Sequence, residues 1–136
     1  MFAGLLVLWV VDGRIKKEQV LHALFAVILV ATESEMVKNL LPVARPYMRN
    51  GGPPLTLTIP VDGTFPSLHA AIAFALAITV WLHNKKLGYI FILAAVLVAL
   101  GRVLGHVHYF SDVFGGGVLG AATAIMIEKL HLYKLV

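Results

Sequence analysis

Long apolar runs separated by short polar connections make up most of this chain. Four of them, residues 19–41, 66–82, 87–104 and 113–130, approach the roughly 20 residues that a helix needs to cross a bilayer. A fifth run, residues 1–11, is too short to span. The pattern predicts an all-α integral membrane helical bundle with four full spans plus a short N-terminal apolar helix, in a single domain over residues 1–136.

The composition strengthens this interpretation. Hydrophobic residues make up 60% of the 136 and charged residues only 13%, whereas soluble domains average about 45–50% and about 25%. We therefore interpret the net charge of +4 as a topology signal and expect no nucleic-acid partner. Because cysteine is absent, a disulfide framework, a thiolate zinc site and a cysteine nucleophile are excluded. Residues 1–11 lack the flanks of a signal peptide.

Basic residues concentrate on one side of the expected topology. With alternating helices, seven of the eleven cations share a side: Arg14, Lys16, Lys17, Lys85, Lys86, Lys129 and Lys134. The positive-inside rule makes that side cytoplasmic and predicts a protein of the cytoplasmic membrane. Lys38, Arg45, Arg49 and Arg102 remain on the outer side, where they need another explanation.

Three short motifs converge on that outer side. They contain Lys38 with Arg45-Pro46, then Pro66-Ser67-Leu68-His69, and then Arg102, His108 and Asp112. Each polar residue alone has an ordinary explanation, such as snorkelling for a lysine or helix capping for an aspartate. Together they suit phosphate, because two guanidinium groups and an ammonium can neutralise a phosphoryl group and its transition state.

The third motif suggests covalent chemistry. His108 and Asp112 are four residues apart, which on a helical turn places them on one face. Asp112 could then hold one ring N–H of His108 and leave the other nitrogen to attack, while His69 remains for proton transfer to the leaving oxygen. Pro66 stands where a helix would begin, so the N–H groups of that turn and the Ser67 hydroxyl could meet phosphate oxygens.

The order and spacing of these motifs resemble a known family. Lys38-x6-Arg45-Pro46, Pro66-Ser67-Leu68-His69 and Arg102-x5-His108-x3-Asp112 look like the signature motifs of the type 2 phosphatidic acid phosphatase and vanadium haloperoxidase superfamily. The resemblance is to its integral membrane lipid phosphatase branch and covers residues 38–130.

The resemblance implies an enzyme that hydrolyses a lipid phosphate or diphosphate through a phosphohistidine on His108. Asp112 would orient His108, and His69 would be the general acid. The phosphate-binding residues would be Lys38, Arg45, Ser67 and Arg102. No metal and no cofactor are implied, and the site would lie at the outer face of the membrane. The first expected substrate is undecaprenyl or another polyprenyl diphosphate, followed by phosphatidic acid and phosphatidylglycerol phosphate.

Two departures from the family pattern keep alternatives open. Leu68 stands where the second motif usually has glycine, and Gly101 stands where the third usually opens with serine. A lipid phosphotransferase of the same fold and a non-catalytic lipid-binding or scaffold protein therefore remain alternatives. Because members commonly have six spans, we expect a reduced form or a compensating homo-oligomer.

Other polar and small residues have structural explanations. Glu33 and Glu35 could line a cleft or pair with Lys38, but a partly wet helix end is the simpler account. Gly116 and Gly120 are expected to allow close helix packing beneath the site. The remaining histidines, His22, His83, His106 and His131, are interpreted as interfacial.

Overall fold

The computed structural model describes residues 17–56 and 59–130. Five helices follow one another: α1 Lys17–Leu40, α2 Pro46–Asn50, α3 Leu68–His83, α4 Lys85–Leu104 and α5 Phe110–Leu130. No strand occurs in the described part of the chain, which confirms the all-α prediction. An apolar helix satisfies its own backbone hydrogen bonds, as a segment in lipid requires.

Helix α3 is the centre of the bundle and packs against α1, α4 and α5. Its buried positions are mostly alanines: Ala70, Ala71, Ala73, Ala75 and Ala77. Alanine lets neighbouring helices approach closely, and such packing holds helices together where lipid supplies little hydrophobic drive between them. Helix α4 lies at the periphery, with Leu93 and Leu97 exposed on its outer side.

The contact between α3 and α5 depends on two glycines of α5. A Cβ on Gly116 would stand 2.5 Å from the carbonyl oxygen of Ser67, and one on Gly120 would overlap the carbonyl oxygen of Ala71. A larger residue at either position would push the two helices apart. The prediction that Gly116 and Gly120 allow close packing beneath the site is confirmed.

The prediction of four full spans is confirmed only in part. Among the described residues, three helices are long and apolar enough to cross a membrane, Gln19–Leu40, Lys85–Leu104 and Phe110–Leu130. Helix α3 has 16 residues, so it is roughly 24 Å long at 1.5 Å per residue, less than the roughly 30 Å hydrocarbon core. It is short because Pro66 and Ser67 precede the helix and Asn84 ends it. The N-terminal run, residues 1–11, lies outside the described residues.

The two ends of the bundle have different connections. At one end a single residue, Asn84, joins α3 to α4, and its side-chain oxygen accepts a hydrogen bond from the Leu87 amide at 3.2 Å. At the other end residues 41–67 link α1 to α3 and contain α2, a short helix that the sequence did not predict. The described parts of this connection contact the end of the bundle that carries the three motifs, through Leu55, Asp62 and Thr64.

Candidate active site

The three motifs meet at one end of the bundle. Lys38 lies in the last turn of α1, His69 in the first turn of α3, Arg102 in the last turn of α4 and Asp112 in the first turn of α5. Since successive long helices alternate in direction, these four termini share one end. The structure thereby brings together residues that are far apart in the chain.

Arg45 is the buried centre of this cluster. Its Nη1 donates to the carbonyl oxygen of Val107 at 2.8 Å and lies 3.3 Å from Nε2 of His108. Its Nε and Nη2 donate to the Asp62 carbonyl oxygen at 3.0 Å and to Asp62 Oδ1 at 2.8 Å. One planar guanidinium therefore joins the first motif, the long connection and the third motif, a task suited to its fixed fork of donors.

Asp62 binds two of the predicted phosphate-binding cations. Its Oδ2 lies 2.6 Å from Nζ of Lys38, while its Oδ1 accepts from Arg45. Burial opposes ionisation of Asp62, but the hydrogen bonds from Lys38 and Arg45 outweigh it and lower its pKa from 3.8 to about 2. Sequence reasoning missed Asp62. The available signal was its position as the sole acidic residue of residues 41–67.

A hydroxyl lies between the two residues of the third motif that were expected to pair. Nδ1 of His108 is 3.7 Å from Oδ2 of Asp112. Thr64 Oγ1 is 3.1 Å from Nδ1 of His108 and 2.6 Å from Oδ2 of Asp112. Because Asp112 can only accept, Thr64 donates to it and accepts the Nδ1–H of His108. Thr64 was also missed, since a lone threonine in a loop carries no sequence signal.

His108 is neutral in these surroundings. Burial lowers its pKa below the ordinary 6.5, and the positive charges of Arg45 and Arg102 lower it further, against the opposing effect of Asp112. With the proton on Nδ1 facing Thr64, the lone pair of the ring is on Nε2, beside Arg45. A neutral imidazole has one unprotonated ring nitrogen, which can act as a nucleophile.

Two further predicted phosphate-binding residues present buried donors. Ser67 Oγ and Arg102 Nε are buried, and neither has a hydrogen-bond partner among the described residues. The amide of Ser67 donates to the carbonyl oxygen of Asp112 at 3.0 Å, so Ser67 is tied to the start of α5. Buried polar groups nearly always have a hydrogen-bond partner. Two buried donors without one in the same cluster are available to bind a ligand.

Of the remaining polar residues near the motifs, His69 lies beside the cation cluster, and His106 and Arg49 are exposed. His69 is exposed and interacts electrostatically with Arg102, Lys38 and Arg45, which places it beside the cation cluster. His106 is exposed, with a φ of 59°. Arg49 is exposed.

The open questions on the two glutamates of α1 are answered by their contacts. Glu35 pairs with Lys38 at 3.1 Å. Glu33 accepts a hydrogen bond from Thr123 of α5 at 2.7 Å, so it joins two helices. The sequence favoured a partly hydrated helix end without specific partners, whereas both glutamates have specific side-chain partners.

This arrangement can be compared with known proteins. The family model of the PAP2 superfamily matches residues 19–135. The chain belongs to the PAP2 superfamily. The match extends across all the described helices that carry the three motifs, and it confirms the resemblance stated from those motifs.

Two curated relatives of this chain come from bacteria. It is 31% identical over 134 residues to the putative undecaprenyl-diphosphatase YbjG of Escherichia coli, covering 95% of this chain and 67% of the relative. It is 25% identical over 124 residues to the bacitracin transport permease protein BcrC of Bacillus licheniformis, covering 91% of this chain. The chain spans 61% of the length of BcrC.

Solved structures share the fold. The crystal structure of Aquifex aeolicus LpxE matches with a TM-score of 0.76 and 26% identity, over 94% of this chain and 75% of that one. The PAP2-type phosphatidylglycerolphosphate phosphatase of Bacillus subtilis matches with a TM-score of 0.58 and 24% identity, over 76% of this chain and 56% of that one. Both solved structures therefore share the fold of this chain.

Proposed function

We propose that this protein is a membrane phosphatase that removes a phosphate from a lipid phosphate or diphosphate, with a polyprenyl diphosphate as the first candidate substrate. The observation that carries the proposal is the pair of buried, unpartnered donors, Ser67 Oγ and Arg102 Nε, in the same cluster as the neutral His108. A tetrahedral oxyanion supplies the acceptors that such donors need.

The cations would bind the phosphoryl group before and during the reaction. Lys38 and Arg45 contact the Asp62 carboxylate, whose two oxygens are the kind of partner that phosphate oxygens replace. Arg45 and Arg102 both act electrostatically on His108, so they lie where charge builds up during transfer. Because these side chains supply the positive charge, the proposed reaction needs no metal and no cofactor.

The proposed reaction has two transfers. Nε2 of His108 attacks phosphorus, the bond from phosphorus to the leaving oxygen breaks, and His69 donates a proton to that oxygen. Thr64 and Asp112 hold the Nδ1–H of His108 and stabilise the charge that the ring gains. In the second step His69 takes a proton from a water molecule, and the water oxygen attacks phosphorus. The bond from phosphorus to Nε2 of His108 then breaks, which releases inorganic phosphate and restores the neutral ring.

An apolar cleft beside the site suits the chain of a lipid. It has a volume of about 400 Å³ and is lined by residues of α1, of α5 and of the connection between α1 and α3, among them Val37, Phe65, Pro66, Phe114, Val118 and Ala122. Phe65 and Pro66 stand directly between Thr64 and Ser67 in the chain. A lipid tail in this cleft would therefore bring its headgroup to the cation cluster. YbjG, the relative with 31% identity, is named for undecaprenyl diphosphate, which favours a polyprenyl chain.

The central experiment is phosphate release by purified protein in detergent from a panel of polyprenyl diphosphate, phosphatidic acid and phosphatidylglycerol phosphate. We expect release from at least one of them and a loss of roughly 10³-fold or more in His108→Ala. His106→Ala, an exposed histidine two residues away, is the matched control and should retain activity. Equal, slow release by wild type and His108→Ala on every substrate would favour a non-catalytic lipid-binding protein. Transfer to an added alcohol in preference to water would indicate a phosphotransferase.

The cleft is tested separately from the chemistry. Ala122→Phe fills it and displaces part of the lipid chain, so kcat/KM should fall about tenfold on a long-chain substrate, the effect of losing roughly 50–60 Å² of apolar burial. The same variant should leave activity on a short, water-soluble phosphate ester unchanged. Leu97→Phe, at an exposed position of α4 away from the cleft, is the control. An equal loss on both substrates would show that the cleft does not hold the chain.

We further propose that the site faces the outside of the cytoplasmic membrane. The chain has no cysteine of its own, so single introduced cysteines report sidedness cleanly. A cysteine at Gly52, where a Cβ meets nothing within 4 Å, should react with an impermeant reagent from outside. A cysteine at Asn84, at the opposite end of the bundle, should not. The reverse pattern would place the site in the cytoplasm.

A further inference from the structure

A second polar cluster lies at the end of the bundle opposite the phosphate site. It consists of His22 near the start of α1, His83 at the end of α3 and Glu128 near the end of α5. Asp112 and Glu128 are 16 residues apart on α5, or roughly 24 Å along the helix. The proposed phosphatase reaction does not use this cluster.

The three side chains meet at one carboxylate oxygen. His22 Nδ1 is 2.7 Å and His83 Nε2 is 3.4 Å from Oε2 of Glu128. One ligand atom from each of the three residues can be chosen so that all lie within 4.8 Å of one another. In tetrahedral zinc sites with bonds of about 2.0–2.1 Å, ligand atoms stand roughly 3.3 Å apart. Small side-chain rotations would therefore bring these atoms around one ion.

A backbone contact prepares His83 for this role. Its Nδ1 lies 2.9 Å from the carbonyl oxygen of Thr79, to which it donates. The neutral ring then has its lone pair on Nε2, which faces the carboxylate of Glu128. Metal-binding histidines commonly donate their second nitrogen to a carbonyl in this way. A metal ion between these two atoms would be attracted by both of them.

We propose that His22, His83 and Glu128 form a binding site for one divalent transition-metal ion of the Zn²⁺ class. Two imidazoles and a carboxylate suit Zn²⁺ better than Mg²⁺ or Ca²⁺, which prefer all-oxygen shells. His22 is 2% exposed and Glu128 31%, so the site is buried on one side and accessible on the other. The ion would join α1, α3 and α5 at the end where only Asn84 connects α3 to α4.

The experiment uses the full chain in detergent, first stripped with a chelator. We expect one Zn²⁺ per chain by elemental analysis, and a rise in Tm of roughly 5–10 °C at a hundredfold excess of Zn²⁺ over Kd. Mg²⁺ should give no rise. X-ray absorption of the zinc form should show nitrogen and oxygen ligands at about 2.0–2.1 Å.

Variants assign the ion to the cluster. Glu128→Gln keeps the shape of the side chain and removes its charge, whereas His83→Ala removes a ligand. Each single substitution should lower Zn²⁺ affinity by roughly 10- to 100-fold or more. His106→Ala is the control for an unrelated histidine and should bind normally. His108→Ala should bind Zn²⁺ normally while losing phosphatase activity, so failure of one proposal is distinguishable from failure of the other.

Three results would overturn the proposal. One is the absence of stoichiometric Zn²⁺ in wild type, which needs no variant to fold. Another is binding that Glu128→Gln and His83→Ala leave unchanged. The third is a Tm that responds to pH but not to Zn²⁺, because a proton would then be the cation between His83 and Glu128.

Discussion

The two ends of the bundle use the same kinds of side chain in different surroundings. At one end the buried His108 and Asp112 are bridged by Thr64, and Nη1 of Arg45 lies 3.3 Å from the unprotonated Nε2 of the His108 ring. At the other end His22 contacts Glu128 directly at 2.7 Å, and His83 shares the same carboxylate oxygen.

The difference lies in the neighbouring charge. Burial and the positive charges of Arg45 and Arg102 lower the pKa of His108. The same cations would supply the positive field for the proposed phosphate. At the opposite end a carboxylate receives two imidazoles, an arrangement that attracts a positive ion. In the two proposals, a histidine beside a carboxylate serves as a nucleophile at one end and as a metal ligand at the other. The variants below test this distinction.

Arg45→Lys should disable the phosphate end with the largest effect. Lysine has no planar fork, so the contacts to Val107, His108 and Asp62 cannot all be kept. We expect kcat/KM for lipid phosphate release to fall roughly 10²- to 10³-fold. The Zn²⁺-dependent rise in Tm should persist, since the other end is untouched. A parallel loss of both would mean that the two ends are one cooperative unit.

Gly120→Ala should weaken both ends together. The added methyl overlaps the Ala71 carbonyl oxygen, so the free energy of unfolding should fall by about 1–3 kcal/mol, measured by thermal melts in detergent. Gly101→Ala is a matched change in α4, where the new Cβ meets nothing within 4 Å. It should stabilise the helix by about 0.5–1 kcal/mol. Equal effects of the two substitutions would contradict the proposed α3–α5 contact.

Thr64→Val tests whether the hydroxyl between His108 and Asp112 matters. The isosteric change leaves His108 Nδ1 and Asp112 Oδ2 without their shared partner. Each loss costs about 1–2 kcal/mol of interaction free energy, so kcat should fall about tenfold. Thr64→Ser keeps the hydroxyl and should retain most activity. If valine and serine behave alike, His108 is oriented by other groups.

The smallest expected effect is a change in the pKa of His108 alone. Its NMR signal, assigned by its loss in His108→Gln, should titrate below the ordinary pKa of 6.5 because of burial and the charges of Arg45 and Arg102. Arg102→Gln should move the midpoint upward. Since the folded-state pKa is lowered, the stability that His108 contributes is present above pH 6.5 and is lost as the pH falls through the lowered pKa.

Asp62 gives the control for that pH dependence. With a pKa of about 2, its carboxylate stays ionised throughout the range in which His108 titrates. Its contribution to stability is present above the ordinary value of 3.8 and is lost only as the pH falls toward about 2. If activity is lost between pH 4 and 6 and Asp62→Asn abolishes that loss, the titrating group is Asp62 and not His108, which would contradict the prediction.

Much of the fold follows from local pattern. Apolar runs between charges predict where α1, α4 and α5 cross the membrane, because length and hydropathy are properties of short segments. The pattern overestimated α3, whose start at Leu68 and end at His83 are decided by Pro66, Ser67 and Asn84. Periodicity also missed α2, whose five residues at Pro46–Asn50 are too few to carry a repeat.

The sequence by itself determined the membrane class, the family and the residues of the three motifs, because spacing and residue chemistry are visible along the chain. Only the tertiary structure decided what stands between them. Thr64 and Asp62 enter the site through contacts across 44 and 24 residues of chain, and His22 meets Glu128 across 106. Such partners are chosen by how α1, α3 and α5 pack, and that packing depends on close approach at positions such as Gly116 and Gly120.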